Sequence, residues 1–413
     1  MLKPLIPISP HHLFGFCLAI IIFELLTYMG SDMIMPAMLT VTRQLDASAN
    51  QVPYAFTLYL IGGILLQWLI GPLSDHFGRR RLLLIGSAVF ALSCATAFFV
   101  QSMLAFNGLR LVQGMGLGFV IAVSYPALQE VFCEADAVKI MALLGNVALL
   151  SPLLGPLFGS LVLEWFSWRE LFLLLGIAGA MAWLGLYLLM PETVGTLRHD
   201  GQRLAAVPFE WGGTVRRYAA LLTNTQFLSA TVALGLMSLP LIAWIGLAPL
   251  LLIQHQGFSP LHYGLWQIPV FAAVILGNLI LNRLIAKTEL TQLIRYALWP
   301  FCGGLIALAV IAFTGTSTVL LISCLSLYAI GLGMSNAALY RLALFSSDDS
   351  KGLVSAMIGM ISIAVMGGGG SIIAALGAGD SLETFALLAG ISGLLCLFPL
   401  RLFQQRSHIV HAV

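Results

Sequence analysis

Two carboxylates fall where water should not reach them. Of the 17 Asp and Glu residues in this 413-residue chain, all but Glu24 and Asp32 lie in polar stretches or at the ends of apolar ones; these two sit inside the apolar run 13–36. A carboxylate facing lipid at the centre of a bilayer costs about 2.5 kcal/mol or more, so each must face a cavity or a partner. Their spacing of eight residues is, in a helix, about 12 Å of rise and roughly 80° of rotation. Both can therefore reach one broad cavity at different depths. Desolvated there, protonation competes with a cationic ligand or a positive neighbour, which is the physical requirement for exchanging protons against a bound solute. The plainer alternative is that one of them pairs with Arg110, the basic residue inside the fourth apolar run, and merely pins the first run to the fourth.

The elements that hold these groups follow from composition. The chain is 60% hydrophobic and 9% charged, with a mean hydropathy of +0.98, too few polar side chains to cover a water-soluble surface. Its apolar runs are continuous rather than alternating, which excludes a barrel and leaves helices, whose backbone satisfies itself in hydrocarbon. Spans are expected at 13–36, 53–73, 82–101, 104–130, 138–162 and 169–190, and again at 226–253, 262–285, 293–314, 317–344, 353–376 and 382–403. The prediction is thus an all-α membrane protein of about twelve transmembrane helices. Its parts are an N-terminal six-helix bundle over 1–190, a cytoplasmic linker over 191–224 and a C-terminal six-helix bundle over 225–413. The linker is expected to carry a short surface helix over 209–222, with Trp211 and Tyr218 at the headgroups. Lys3 ahead of the first run superficially suggests a signal peptide, but Glu24 lies inside the run and no small-residue cleavage site follows, so the run reads as the first span.

Basic residues orient the spans. With both termini cytoplasmic, sixteen fall on the cytoplasmic side (Lys3, Arg79, Arg80, Arg81, Lys139, Arg198, Arg203, Arg216, Arg217, Arg283, Lys287, Arg295, Arg341, Lys351, Arg401 and Arg406) and two, Arg43 and Arg169, outside. That bias supports an even number of spans. GMGLG at 114–118 and GLGM at 331–334 occupy the fourth span of each half, a faint sign of duplication of the kind expected in a transporter built from two repeats around a midplane cavity.

The stretch GPLSDHFGRRR at 71–81 joins the second and third spans as a tight turn. Asp75 can cap the incoming helix end and pair with basic neighbours, so it could latch neighbouring bundles in one state and release them in another. The pattern Gly71, Pro72, Asp75, Gly78, Arg79, Arg80 is more specific than a positive-inside anchor requires. It resembles the loop signature between the second and third helices of the major facilitator superfamily. LRLVQGMGLG at 109–118 is similar to the fourth-helix motif of that superfamily's drug/proton antiporters, with Arg110, Gln113 and Gly114. SPLLGPLFGS at 151–160 resembles the fifth-helix motif that marks exporters, with Pro152, Gly155, Pro156 and Gly159; its Pro–Gly pattern suits a bend and close helix contact. FELLTYMGSDMIMPAML at 23–39, YLIGGILLQWLIGPLSD at 59–75, NVALLSPLLGPL at 146–157, MPET at 190–193 and LPLIAWIGLAP at 239–249 resemble bacterial multidrug/proton antiporters.

The resemblance implies that Glu24 and Asp32 are the paired acidic positions for proton and substrate, that Arg110 supports them, and that Tyr125 lines the cavity. Tyr28, Met29 and Met33 flank the acids; Leu236, Met237, Trp244, Met357 and Met360 offer soft or aromatic surface on facing helices, which suits promiscuous binding. Two departures stand out: four consecutive glycines, Gly367 to Gly370, in the eleventh span, and a second-half loop, LNRLIAKTEL at 281–290, that keeps basic residues without the full signature.

Other chemistries find no support. There is no P-loop for ATP, GMGLGF at 114–119 has no strand before it as a dinucleotide site needs, no Ser/His/Asp arrangement is justified, and no metal-ligand spacing appears. The six cysteines, scattered through apolar runs, read as packing residues. The net charge of +2 says little about partners, and no nucleic-acid patch is visible. The expected function is therefore proton-driven export of small lipophilic or cationic drugs by a monomer in the bacterial inner membrane, with no cofactor and no enzymatic step. A dedicated exporter of one metabolite, such as a siderophore or an amphenicol-like compound, is the alternative on the same scaffold; a non-transporting membrane receptor is the third.

Overall fold

In a computed structural model, all residues are described except 1–3, 133, 200, 202–203, 205, 207–210, 285–287, 289, 348–350 and 411–413. The expected basic residues Lys3, Arg203 and Lys287, and Phe209 of the linker helix, lie outside the described residues.

The chain is helical almost throughout. Eleven helices among the described residues are long and apolar enough to cross a membrane. A further apolar stretch, Leu150–Val162, belongs to a 29-residue helix, Glu134–Val162, which is consistent with twelve spans. The first six are α1 (Pro10–Asp32), α2 (Ala49–Phe77), α3 (Arg79–Ala97), α4 (Met103–Val131), α5 (Glu134–Val162) and α6 (Trp168–Leu189). Beyond α1 the chain continues through a 3-10 turn, Met35–Ala37, to Gln44. A linker helix, α7 (Trp211–Thr223), follows, close to the surface helix expected over 209–222. Then come α8 (Thr225–His255), α9 (Pro260–Leu284), α10 (Leu290–Thr314), α11 (Thr318–Leu344), α12 (Lys351–Ala378) and α13 (Leu382–Gln405).

The helix starts are written in the sequence. Ser9, Ser102, Ser167, Asn224, Ser317 and Ser381 each accept a backbone N–H from the first turn of the helix they precede, and Ser167 with Glu170 completes a capping box at α6. Large apolar side chains stand exposed on the spans, among them Leu104, Phe313 and Trp299 at 79% or more, as expected where lipid is the solvent.

Two compact units emerge, Met1–Ala37 with Gln44–Ala47 and Leu58–Trp211, and Met38–Arg43 with Ser48–Thr57 and Gly212–Val413. In the first, α1 packs on α5 and α6, α3 on α4 and α6, and α2 on α4. In the second, α8 packs on α12 and α13, α10 on α11 and α13, and α9 on α11. The pairing order is the same in both, counted from each unit's first span. The glycine clusters explain one shared contact. A Cβ on Gly114 would strike the carbonyl of Tyr59, and one on Gly62 that of Leu111; in the second unit Gly333 meets the carbonyl of Val274, and Gly277 that of Ile330. Both units thus bring their second and fourth spans together backbone to backbone, which only glycine permits.

The turn between α2 and α3 is shorter than its sequence suggests. Gly71, Pro72 and Asp75 lie inside the helical segment Gln67–Phe77, and the reversal rests on Gly78 alone, at φ +104°. Pro72 stands inside this segment, and the helix nevertheless runs on past it to Phe77.

Candidate functional site

Both acids of α1 are buried, Glu24 at 0% and Asp32 at 3% exposure. The Tyr125 hydroxyl of α4 donates to Glu24 Oε1 at 2.6 Å, and Tyr28 lies one turn along α1 from that acid. A π-helical turn over Val120–Ser124 precedes Tyr125. Such an insertion shifts the helical register just ahead of Tyr125. Among the described residues, Glu24 Oε2 has no hydrogen-bond partner.

Asp32 closes α1. Its Oδ1 accepts from Ser31 Oγ at 2.9 Å and its Oδ2 from Ser151 Oγ of α5 at 3.3 Å. The glycines of the fifth-helix motif let α5 come this close. A Cβ on Gly155 would stand 2.7 Å from Asp32 Cβ, and one on Gly159 would strike the carbonyl of Met33. The segment 151–160 is therefore the wall of the Asp32 site: Ser151 supplies the donor, and Gly155 and Gly159 supply the room. Pro152 and Pro156 are accommodated within the helix, where Ser160 Oγ donates to the Pro156 carbonyl at 2.7 Å.

Arg110 of α4, fully buried, reaches α1 through its backbone. Nη1 donates to Gly30 O and Gln113 Oε1, both at 2.9 Å, and Nη2 to Ser31 O at 3.2 Å. The guanidinium lies 4.5 Å from the centre of the Tyr59 ring. Gly30 and Ser31 belong to the last turn of α1, whose carbonyls lack partners within the helix and carry its partial negative charge. Arg110 thus fixes the end of α1 by its carbonyls, and hydroxyls hold the Asp32 carboxylate. Its charge still acts on Asp32. Gln113 passes the linkage on, with Nε2 donating to Ser93 O at 3.3 Å. The first unit therefore gathers Glu24, Tyr28, Tyr125, Asp32, Arg110, Gln113, Gly155 and Gly159. Met29 and Met33 are half-buried beside them.

The residues proposed in the second unit are differently placed. Met237 and Trp244 are fully buried; the Met237 carbonyl accepts from Tyr328 OH at 2.6 Å, and the Trp244 indole donates to Gln267 Oε1 at 2.7 Å. Met357 is buried and Met360 half-buried. Leu236 lines a groove of about 530 Å³ with Thr225, Val232, Leu395 and Phe398.

Around Gly78 lies a second polar cluster, whose acidic members other than Asp75 sequence reasoning missed. Arg79 pairs with Asp75 and Ser74 and, at 2.9 Å, with Glu130 at the end of α4. Thr193 Oγ1 donates to the Glu130 carboxylate, and Arg198 donates to the Glu130 carbonyl at 3.0 Å. Asp75 was expected to cap the incoming helix end; the start of α3 is instead capped by Glu192, whose Oε1 accepts from Arg79 N at 2.9 Å and Oε2 from Arg80 N at 3.2 Å. The same carboxylate takes Thr193 N and Val194 N at 3.0 and 3.2 Å. A carboxylate at a helix N-terminus meets orphan donors and the positive end of the dipole. A Cβ on Gly78 would run into it. Arg80 donates to Tyr187 O at 2.6 Å. Glu192 lies in the quoted segment MPET, and Glu130 falls on the same predicted side as the arginines; those were the available signals.

Comparison with known proteins bears on the family and the fold. Residues 20–374 match the family profile described as Major Facilitator Superfamily. The chain is 43% identical over 395 residues to the multidrug transporter MdfA of Yersinia pestis bv. Antiqua (strain Angola), covering 95% of this chain and 94% of that protein. It is 42% identical over 380 residues to MdfA of Edwardsiella ictaluri (strain 93-146), covering 91% of each. To MdfA of Escherichia coli O6:H1 it is 41% identical over 386 residues, covering 93% of this chain and 90% of that one. Among solved structures, a D-xylose-proton symporter shares the fold with a TM-score of 0.75 at 16% identity, over 94% of this chain and 97% of that one. A human organic anion transporter does so at 0.66 and 16%, over 95% and 100%. With helix pairing repeated in two units, a glycine reversal between α2 and α3 and a family match along most of its length, the chain belongs to the Major Facilitator Superfamily.

Proposed function

We propose that this chain is a proton-coupled antiporter that exports small lipophilic or cationic molecules from the bacterial cytoplasm. The observation that carries the reading is the pair of buried α1 carboxyls held by hydroxyls: Glu24 by Tyr125, Asp32 by Ser31 and Ser151. A hydroxyl can hydrogen-bond a carboxyl in either protonation state, so each acid can take up and give back a proton without losing its partner. The relatives named multidrug transporters support the cargo class.

In this reading, protonation of Glu24 or Asp32 from the outer side releases or excludes the substrate, and deprotonation towards the cytoplasm restores the binding state. Arg110 holds the end of α1 steady. The proton gradient supplies the energy with no cofactor, and the cargo leaves chemically unchanged, so no enzymatic step is involved. The basic-residue bias supports both termini being cytoplasmic; in this reading the protein works in the inner membrane as a monomer, through bundles 1–190 and 225–413 joined by the linker 191–224.

The test is efflux from everted vesicles driven by an imposed pH gradient. Glu24→Gln/Asp32→Asn should abolish it; undiminished gradient-driven transport by the double variant would overturn the proposal. A panel of unrelated lipophilic compounds in the same assay separates a broad exporter from a dedicated one.

A further inference from the structure

We infer that Gln267, oriented by Trp244, is a specificity-determining hydrogen-bond donor in the second unit, which takes neutral lipophilic substrates carrying an exposed acceptor such as an amide carbonyl. The inference rests on the export reading above.

Gln267 lies on α9 and is 1% exposed. An amide has an acceptor end and a donor end, and here they are used unequally. Oε1 accepts the Trp244 indole N–H at 2.7 Å, whereas Nε2 has no partner among the described residues. Trp244 is itself fully buried and wedged against the Phe385 ring, with centroids 5.5 Å apart and planes tilted by 58°. Because indole can only donate, the bond admits only one way round for the amide: its oxygen towards Trp244 and its NH2 away. A buried donor left without a partner is disfavoured, and each such case in a folded protein calls for a reason. A substrate acceptor is a reason that also accounts for the care with which the amide is held. Tyr263, one turn earlier on α9 and fully buried, adds a second polar group to the same helix face. Trp244 also stands just ahead of a π-helical segment, Pro249–His255, as Tyr125 stands just after one at Glu24.

This donor answers a need that the acids cannot. Glu24 and Asp32 attract cations and accept from hydroxyl or amide donors, but when ionised they offer nothing to a carbonyl or nitro oxygen, which needs a donor. A site that hydrogen-bonds its ligand discriminates sharply against one that cannot reciprocate. Tetraphenylphosphonium, a cation without an acceptor, should be indifferent to Gln267.

The experiment measures binding of radiolabelled tetraphenylphosphonium and of a neutral amphenicol to the purified full chain. Gln267→Met keeps side-chain length and flexibility but removes the donors. It should weaken amphenicol binding about tenfold while tetraphenylphosphonium stays within about twofold. Should the variant fail to fold because Trp244 loses its acceptor, Trp244→Phe/Gln267→Met removes both partners, a change that is tolerated better than removing one; read against Trp244→Phe alone, so that any contact of the indole with either ligand cancels, the same selective loss is expected. Equal losses for both ligands, or no loss for either, would overturn the inference. Wild-type protein that binds the compounds but, in everted vesicles under an imposed pH gradient, moves neither of them refutes the export reading instead.

Discussion

Adding one methyl group at Gly155 should disconnect Asp32 without touching its carboxyl. An alanine Cβ there would stand 2.7 Å from Asp32 Cβ, whereas ordinary contact begins at 3.4 Å. Neither neighbour is a flexible side-chain tip, so α5 and α1 must part by about 0.7 Å, the difference between those two distances. Ser151, one turn back on α5, donates to Asp32 from 3.3 Å; the same displacement carries it to about 4.0 Å, past hydrogen-bonding range. A hydrogen bond to a charged group contributes about 1.5–3 kcal/mol, which is roughly ten- to hundredfold in an equilibrium constant. The assay is drug-induced proton release from purified protein, run beside gradient-driven efflux. Gly155→Ala should lose at least tenfold in efflux and most of the released proton, while Ser151→Ala reproduces much of the defect. Gly108→Ala on α4, with nothing within 4 Å of the new methyl, should match wild type. Normal proton release and efflux by Gly155→Ala would refute the argument that the fifth-helix glycines exist to seat α5 on Asp32.

Other expectations follow from the same contacts. Tyr125→Phe removes the donor at 2.6 Å from Glu24 and should lower cation efflux about tenfold, read as a shift in the minimum inhibitory concentration of a lipophilic cation. Arg110→Lys keeps the charge but not the forked reach to Gly30 O, Ser31 O and Gln113, so efflux should stay at background in vesicles despite the conserved charge. Glu192→Ala takes the cap from α3 and should reduce stability by about 1–2 kcal/mol, visible as a lower unfolding temperature in detergent. Gly78→Val adds a β-branched side chain at φ +104° against Glu192 and should destabilise the chain at least as much.

The spans, the two acids and Arg110 were legible because hydrocarbon makes each charged side chain conspicuous: a carboxylate in an apolar run needs explaining wherever it lies. Their partners were not legible. Ser151 lies 119 residues from Asp32, and Glu192 lies 113 from Arg79; no local pattern records which residues meet after folding. Serine in an apolar helix carries no signal of its own, since most serines there bond their own backbone, as Ser87 and Ser335 do. The turn at 71–81 was read as loop because Gly, Pro and Asp usually break helices, yet Ser74 returns a bond to the Gly71 carbonyl and the helix runs on to Phe77. The faint echo of GMGLG in GLGM became firm only through the carbonyls those glycines face. Gln267 gave no sign at all, because an amide among leucines is noticed only once one end is seen to lack a partner.

The repeated helix pairing bears on how such a protein changes over time. Gly114 and Gly333 hold corresponding crossings, but four residues before each stand Arg110 and Ala329, and α8 has no acid where α1 has two. The two units thus share a scaffold, and the ionic groups of α1 and α4 occur in the first alone. On the function proposed above, inheritance should constrain them differently: an altered residue near Asp32 should stop the pump, whereas an altered residue on α8 or α9 should change what fits. Lineages selected for new cargo should accordingly collect their substitutions in 225–413 and leave the first half nearly untouched.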